Sequence, residues 1–429
     1  MSDGRDDPLS ASRRGFLQRA GLLAAAAGSG LAPEQPARAQ PANTAEQIGN
    51  EFEPFFGPHQ GGILTPAQRH SYFAAFDLVS DRRDDVLALL RSWTDASALL
   101  AKGEMPGFPA KDSYAPPDSA ETLGLSPSRL TLTFGFGAGM FVSDGKDRYG
   151  VAASRPEALI DMPLFSGDQL VEARTGGDLS VQACADDPQV AFHAVRHLAQ
   201  LGYGTARIRW AQTGFLPNSP PGETPRNLMG FKDGSGNPAV HDQAAMARFV
   251  FVGEDGPPWM RGGSYVVARR ILVALEHWDR MKTDFQERTF GRRKVSGAPL
   301  SSQKEFDALD LEATDKEGNP VTPINAHVRL AAAESNDGIK ILRRPYSYND
   351  GIDYAAKRWP PWRQGLEYDA GLFFICYQRD PRQGFVRIFD KLAKLDMLNQ
   401  FSTHTGGGLF ACPAGIAPGE FVGQKLFNA

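Results

Sequence analysis

GGDLSVQACADDPQVAFHAVRHLAQ, running from Gly176 to Gln200, is the stretch from which the fold can be read. Asp178-Leu179-Ser180-Val181-Gln182-Ala183-Cys184 has the composition of a strand. Asp186 or Asp187 can then cap a helix with Pro188 near its start, and the run from Ala191 to Gln200 carries helical apolar spacing. Proline is tolerated in that first turn because its missing N–H would have no partner there. Arg207-Ile208-Arg209-Trp210-Ala211-Gln212 next alternates as a strand does. Upstream, Leu130-Thr131-Leu132-Thr133-Phe134-Gly135-Phe136 is a further strand. The second half of the chain repeats this vocabulary. Gly263 to Leu275 is apolar enough for a strand, Gly371-Leu372-Phe373-Phe374-Ile375-Cys376-Tyr377 is the strongest strand of all, and a helix is predicted from about Pro381 to Leu398. Strand, N-capped helix, strand in both halves predicts an α+β fold of two ferredoxin-like units, each an antiparallel sheet with packed helices.

Around these units the reading is plainer. Ser71 to Leu100 has the apolar spacing of helices, interrupted near Asp81-Arg82-Arg83. Gly103 to Pro127 is broken by Pro106, Pro109, Pro116, Pro117 and Pro127, which excludes a continuous helix or central strand. Gln40 to Pro66 reads as an arm or loop. The 429 residues allow two or three domains, and 22% charged residues with 41% hydrophobic ones exclude a disordered or fibrous chain. A net charge of -4 without a dense basic patch argues against nucleic acid as a partner. No apolar run long enough to span a bilayer follows the N-terminal region, so no membrane span is expected in the mature form.

The first residues stand apart from the rest. Ser12-Arg13-Arg14-Gly15-Phe16-Leu17, a modest apolar stretch from Ala20 to Leu31, and Ala37-Arg38-Ala39 arrive in the order of a secretory signal. The paired arginines make it similar to a twin-arginine signal, which predicts export to the periplasm with cleavage after Ala39. An N-terminal anchoring helix is the other reading. The expected organisation is therefore a signal peptide over 1–39, an N-terminal ferredoxin-like domain over 40–240 and a C-terminal one over 241–429. Proteins exported folded often acquire a cofactor first, so a cofactor is worth seeking. Cys184, Cys376 and Cys412 are too few and too odd in number for a disulfide framework, though one pair remains open. No C-x-x-C-H occurs, which excludes the usual covalent haem attachment.

Three segments carry residues fit for chemistry. In Asn227-Leu228-Met229-Gly230-Phe231-Lys232-Asp233-Gly234-Ser235-Gly236-Asn237-Pro238, three glycines around Asp233 permit a tight backbone and close approach by a planar ligand. The carboxylate is open to reading as a proton-transfer group, a calcium ligand or a turn cap. His327, in Asn325-Ala326-His327-Val328-Arg329-Leu330-Ala331, lies between apolar residues and faces either a cavity or the core. Ile341-Leu342-Arg343-Arg344-Pro345 supplies paired arginines. His193 and His197 are the one close histidine pair, without an acidic ligand pattern beside them in sequence. An aspartate, a histidine and an arginine are the residue types a haem peroxidase needs: an iron ligand, a proton carrier and a fixed cation.

Gly230-Phe231-Lys232-Asp233-Gly234 matches the G-x-x-D-G pattern of dye-decolourising peroxidases. PLFSGDQL (Pro163 to Leu170), the Gly176 to Arg196 stretch, RGGSYVVARRI (Arg261 to Ile271), NAHVRLAAAESNDGIKILRRPYSYNDG (Asn325 to Gly351) and GLFFICYQRDPRQGF (Gly371 to Phe385) resemble the same family. The resemblance covers nearly the whole mature chain. With the twin-arginine signal, it extends to the exported deferrochelatase/peroxidase branch of bacterial iron uptake. It implies one non-covalent haem b per chain in a barrel-like α+β peroxidase, with a homodimer as the family's expectation. By the resemblance, His327 is the proximal iron ligand, Asp233 the distal acid–base residue and Arg343 the distal arginine, with its neighbour Arg344 kept as the alternative beside the cofactor. Gly234 follows the acid–base residue in the motif. Asp396 is implied as the carboxylate behind the proximal histidine, or else a helix-surface residue. Phe374 is either a distal-side lining residue or a buried strand aromatic. The implied reactants are hydrogen peroxide and a bulky organic one-electron donor such as a dye, or haem itself when iron is released. Iron-uptake components are the implied protein partners. An aspartate in the proton-transfer position favours activity in acid, where an ordinary carboxylate retains some protonated population. A periplasmic haem carrier or store on the same fold is the non-enzymatic alternative.

Overall fold

The strands of this chain sort by which of their faces are buried. A computed structural model describes residues 52–107, 118–220, 222–353 and 367–428, all within a single unit spanning Thr44–Ala429. The signal-like N-terminus lies outside the described residues. In the first half, β1 (His70–Leu78) leads to helix α1 (Arg83–Leu100), then β2 (Thr131–Phe136), the short α2 (Ala138–Phe141), β3 (Leu179–Ala185), α3 (Pro188–Leu201) and β4 (Ala206–Phe215). These pair antiparallel in the order β2-β3-β1-β4, with α1 packed on α3 and α3 packed on the sheet. After α4 (Gln243–Phe249), the second half runs through β5 (Ser264–Val273), helices α5 (Leu275–Trp278), α6 (Thr283–Phe290) and α7 (His327–Ala331), then β6 (Leu342–Arg343), β7 (Tyr346–Asp353), β8 (Glu367–Gln378), α8 (Phe385–Leu395), β9 (Ser402–Cys412) and α9 (Gln424–Phe427). Its strands pair in the order β9-β5-β8-β7, with β6 also beside β8. Both orders are those of a βαββαβ ferredoxin-like unit. Single pairings, Phe136 with Ala411 and Phe215 with Ser347, join the two sheets edge to edge into a closed α+β barrel. Closure leaves few strand edges unpaired.

Alternation along each strand then divides the core in two. Phe73, Ala75, Phe373, Ile375, Tyr377 and Phe410 fill the barrel interior, while Ala74, Phe76 and Leu78 face outward into a second core under α1 and α3. This corrects the reading of the segment from Ser71, whose first part is strand, not helix. With Phe73, Ala74, Ala75 and Phe76 all buried, the central strand has two apolar faces and shows no period-two pattern. The helix begins only at Arg83, at the end of the sequence interruption. The cap of α3 matches its reading: the Asp187 carboxylate accepts from the backbone N–H of Gln189 at 2.7 Å and of Val190 at 3.1 Å, with Pro188 in the first turn. Cys184, Cys376 and Cys412 are free and buried. Among the described residues no helix is long and apolar enough to cross a membrane.

Candidate active site

His327 opens α7, which packs against α8. The end of α8 delivers Asp396, whose side chain is almost wholly buried. One Asp396 oxygen accepts from the backbone N–H of Leu398 at 2.9 Å, capping the turn Met397–Gln400. The other lies 2.6 Å from His327 Nδ1, a short charge-assisted contact across 69 residues of sequence. The imidazole's second nitrogen, Nε2, has no hydrogen-bond partner among the described residues, and the side chain keeps one third of its surface open. Burial opposes the imidazolium, but the Asp396 carboxylate outweighs it by charge and hydrogen bond; Arg343 works against, and Asp233 for, the resulting rise above the ordinary histidine value. His327 is therefore within electrostatic reach of both Asp233 and Arg343.

Those two residues form the second half of the site. Arg343 Nη1 donates to Asp233 Oδ1 at 2.7 Å, and both side chains remain partly open. Asp233 sits in the glycine-rich loop, where Gly234 takes φ +128, a conformation that side-chain-bearing residues rarely adopt. The Asp233 N–H donates to Pro225 O at 2.9 Å. Phe231 anchors the loop by stacking on Phe290 at 3.9 Å between ring centres, and Phe290 in turn meets His327 edge-on at 6.1 Å. Gly291, just after Phe290, allows close packing onto α7: at φ +83, an added Cβ would stand 2.4 Å from Val328 Cγ1.

Strand alternation separates the paired arginines. Arg343 pairs with Cys376 on β8 and shares the outer face with Phe374, whose half-buried ring lies 5.8 Å from that of Phe385. Arg344 turns to the opposite side, where its guanidinium donates to Thr65 O and Gln68 Oε1 beside Tyr346, Cys184 and Tyr377 of the barrel interior. The structure thus brings Asp233, Arg343, His327 and Asp396 together and leaves Arg344 on the far face. Sequence reasoning missed Asn237. Its amide donates to Arg343 O at 2.7 Å and accepts from Arg343 N–H at 3.1 Å, holding the arginine's backbone from both sides. The signal was present in the loop itself, as the only side-chain amide after the three glycines.

The His193–His197 pair does gain acidic neighbours in the fold: Asp118 lies 3.2 Å from His193 and 3.4 Å from His197, and Glu121 lies 3.3 Å from His193. Among the described residues, however, no group of three or more such side chains is arranged to hold a metal ion. The donor set around His327 suits a haem iron differently: an imidazole whose Nδ1 is engaged by a carboxylate presents a free Nε2, the arrangement in which histidine ligates metal.

Comparison with known proteins bears on the chain as a whole. The chain matches the Dyp-type peroxidase N-terminal region over residues 60–216 and the C-terminal region over 224–417. It is 37% identical to a dye-decolorizing peroxidase of Thermobifida fusca over 460 aligned residues, with 100% of both chains covered. It is 35% identical to a deferrochelatase of Escherichia coli over 428 residues, 97% of each chain. Among solved structures, ferric DtpA from Streptomyces lividans superposes with a TM-score of 0.81 at 42% identity, covering 91% of this chain and 100% of that one.

Proposed function

This chain belongs to the Dyp-type peroxidase family and is a haem-dependent enzyme, and from that premise we propose how its own residues divide the work. His327 Nε2 is the proximal ligand of one non-covalent haem b. Asp396 holds the imidazole in the tautomer that frees Nε2 and makes it a stronger electron donor. Asp233 is the distal proton carrier and Arg343 the fixed distal cation. The observation that carries this reading is the pair of pairs: His327–Asp396 at 2.6 Å and Arg343–Asp233 at 2.7 Å, linked by the ring contacts of Phe290 with Phe231 of the Asp233 loop and with His327.

When bound, the haem would supply the iron at which peroxide is activated and the two electrons that first reduce it. The chain's residues manage the protons. Asp233 Oδ1 is held by Arg343, which leaves Oδ2 to accept a proton from one peroxide oxygen and return it to the other, so that the latter departs as water. Arg343 stabilises the negative charge that develops on the departing oxygen, and its guanidinium keeps that charge at any working pH. Two single electrons from an organic donor, with two protons, complete the turnover, and the second peroxide oxygen leaves as water. The deferrochelatase relatives support a second activity for the same pocket, release of iron from haem with the macrocycle intact. The signal-like N-terminus supports twin-arginine export and action in the periplasm.

Haem reconstitution of the mature protein tests the assignment. Wild type is expected to show a Soret band that shifts on peroxide addition; His327→Ala is expected to lose the normal band. Peroxide-independent uptake of haem, with Asp233 and Arg343 dispensable, is the outcome that a haem carrier would give. Free protoporphyrin after incubation with excess haem would reveal iron release.

A further inference from the structure

Glu305 lies in the chain between α6 and α7, far in sequence from the distal loop, yet it grips that loop on both sides of Asp233. Its Oε2 accepts from Lys232 Nζ at 2.6 Å and its Oε1 from Ser235 Oγ at 2.7 Å. The carboxylate is itself almost buried, and although burial opposes its charge, these donors hold its pKa below the ordinary glutamate range. Its backbone is fixed in turn: Arg292 Nη1 donates to Glu305 O at 2.9 Å and to Gly297 O at 2.7 Å. The Lys232 stem lies so close to Gly297 that a Cβ there would stand 2.9 Å from Lys232 Cδ.

We propose that Glu305 is the positioning residue of the distal loop, setting the carboxylate of Asp233 by clamping Lys232 and Ser235 on either side of it. The inference rests on the reading of Asp233 as the proton carrier. Two physical consequences follow from the clamp. The first is geometric, because a glycine-rich loop with Gly234 and Gly236 beside the reacting carboxylate has little rigidity of its own. The second is electrostatic. Lys232 is adjacent to Asp233, and Glu305 neutralises its ammonium, so Arg343 meets no rival for the Asp233 carboxylate. A neutral glutamine at 305 would turn its NH2 toward at least one donor, release the ammonium and loosen the loop.

The test compares full-length mature wild type with Glu305→Gln, Ser235→Ala and Lys232→Gln/Glu305→Gln. Amide hydrogen exchange of peptides covering 225–237 is measured without haem, and the peroxide reaction is followed by stopped flow with haem bound. Glu305→Gln is expected to speed exchange of this segment by about tenfold. It is also expected to slow the peroxide step by about tenfold, with the donor KM within about twofold of wild type, as for a group acting only on the proton-transfer geometry. The double variant restores a neutral pair and is expected to recover most of the lost rate, which a loss of bulk stability would not do. Should Glu305→Gln fold poorly, Ser235→Ala removes one donor alone and is expected to move both readings by about threefold. Unchanged exchange and an unchanged peroxide step in the single variants overturn the proposal. An Asp233→Asn variant with the wild-type peroxide rate would instead overturn the proton-carrier reading beneath it.

Discussion

Replacing Asp396 by Asn removes one charge and almost no volume, and the structure fixes what must then give way. One oxygen caps Leu398 N–H at 2.9 Å and the other takes the 2.6 Å contact from His327 Nδ1. If the amide oxygen keeps the cap, its NH2 faces the Nδ1–H, donor against donor. The imidazole can then move its proton to Nε2, where it blocks metal ligation. Alternatively the amide turns over and surrenders a cap worth about 1 kcal/mol. Either way the charged hydrogen bond, worth about 1.5–3 kcal/mol, is lost. A carboxylate behind a ligating histidine typically contributes about 10- to 100-fold in affinity, which is about 1.4–2.8 kcal/mol. Haem transfer to a scavenging apoglobin should therefore be faster by that factor in Asp396→Asn. The reduction potential should rise as well, because a less electron-rich imidazole stabilises ferric iron less, and each tenfold of differential affinity is about 59 mV for one electron. Haem loss within twofold of wild type and an unmoved potential, alongside a lowered melting temperature of the haem-free protein, would refute the reasoning and leave Asp396 as a helix cap.

Asp233→Asn should leave the Soret band intact and slow the peroxide step by about 10²–10⁴, read by stopped flow, since it removes proton transfer alone. Arg343→Leu should cost about 10²–10³ in the same step, and Arg343→Lys less, because a point charge survives without the guanidinium fork. Asn237→Ala strips both hydrogen bonds from the Arg343 backbone and should lower stability by about 1–2 kcal/mol in urea unfolding while slowing the peroxide step with it. Glu121 supplies a pH test. Burial opposes its charge, but Ser119, Arg196 and His193 pull its pKa from about 4.5 down to about 2. A depressed carboxylate contributes stability that is present above its unfolded value and lost as pH falls through the folded one. Stability should therefore fall between roughly pH 4.5 and 2, by less than the full shift implies because solvent screens the group, and Glu121→Gln should flatten that limb of the melting curve.

Much of the fold was legible because it is written in local chemistry. The Asp187–Pro188 cap, the alternation of β4 and the apolar run of β8 each declare themselves within a dozen residues. β1 did not, since both its faces are covered and a strand buried on both sides has the composition of a core helix. The site divided in the same way. The G-x-x-D-G loop and the histidine between apolar residues are short motifs, and resemblance assigned them roles. Resemblance alone favoured Arg343 over Arg344: by their own chemistry two adjacent arginines look alike until a strand register turns one outward and the other into the barrel. Glu305 was invisible for a further reason, since its partners Lys232 and Ser235 lie 73 and 70 residues away.

By itself, then, the sequence determined the two-unit α+β plan, the residue types of a haem peroxidase and the family. The plan follows from periodicity and capping and the family from the resemblance of short motifs, all of which act over a few residues. Only the tertiary structure decided which groups meet: Asp396 with His327 across 69 residues, Arg343 with Asp233 across 110, and Arg344 with Gln68 across 276. Contacts at that separation depend on barrel closure and strand register, and a shift of one residue would exchange the two arginines between the pocket and the core.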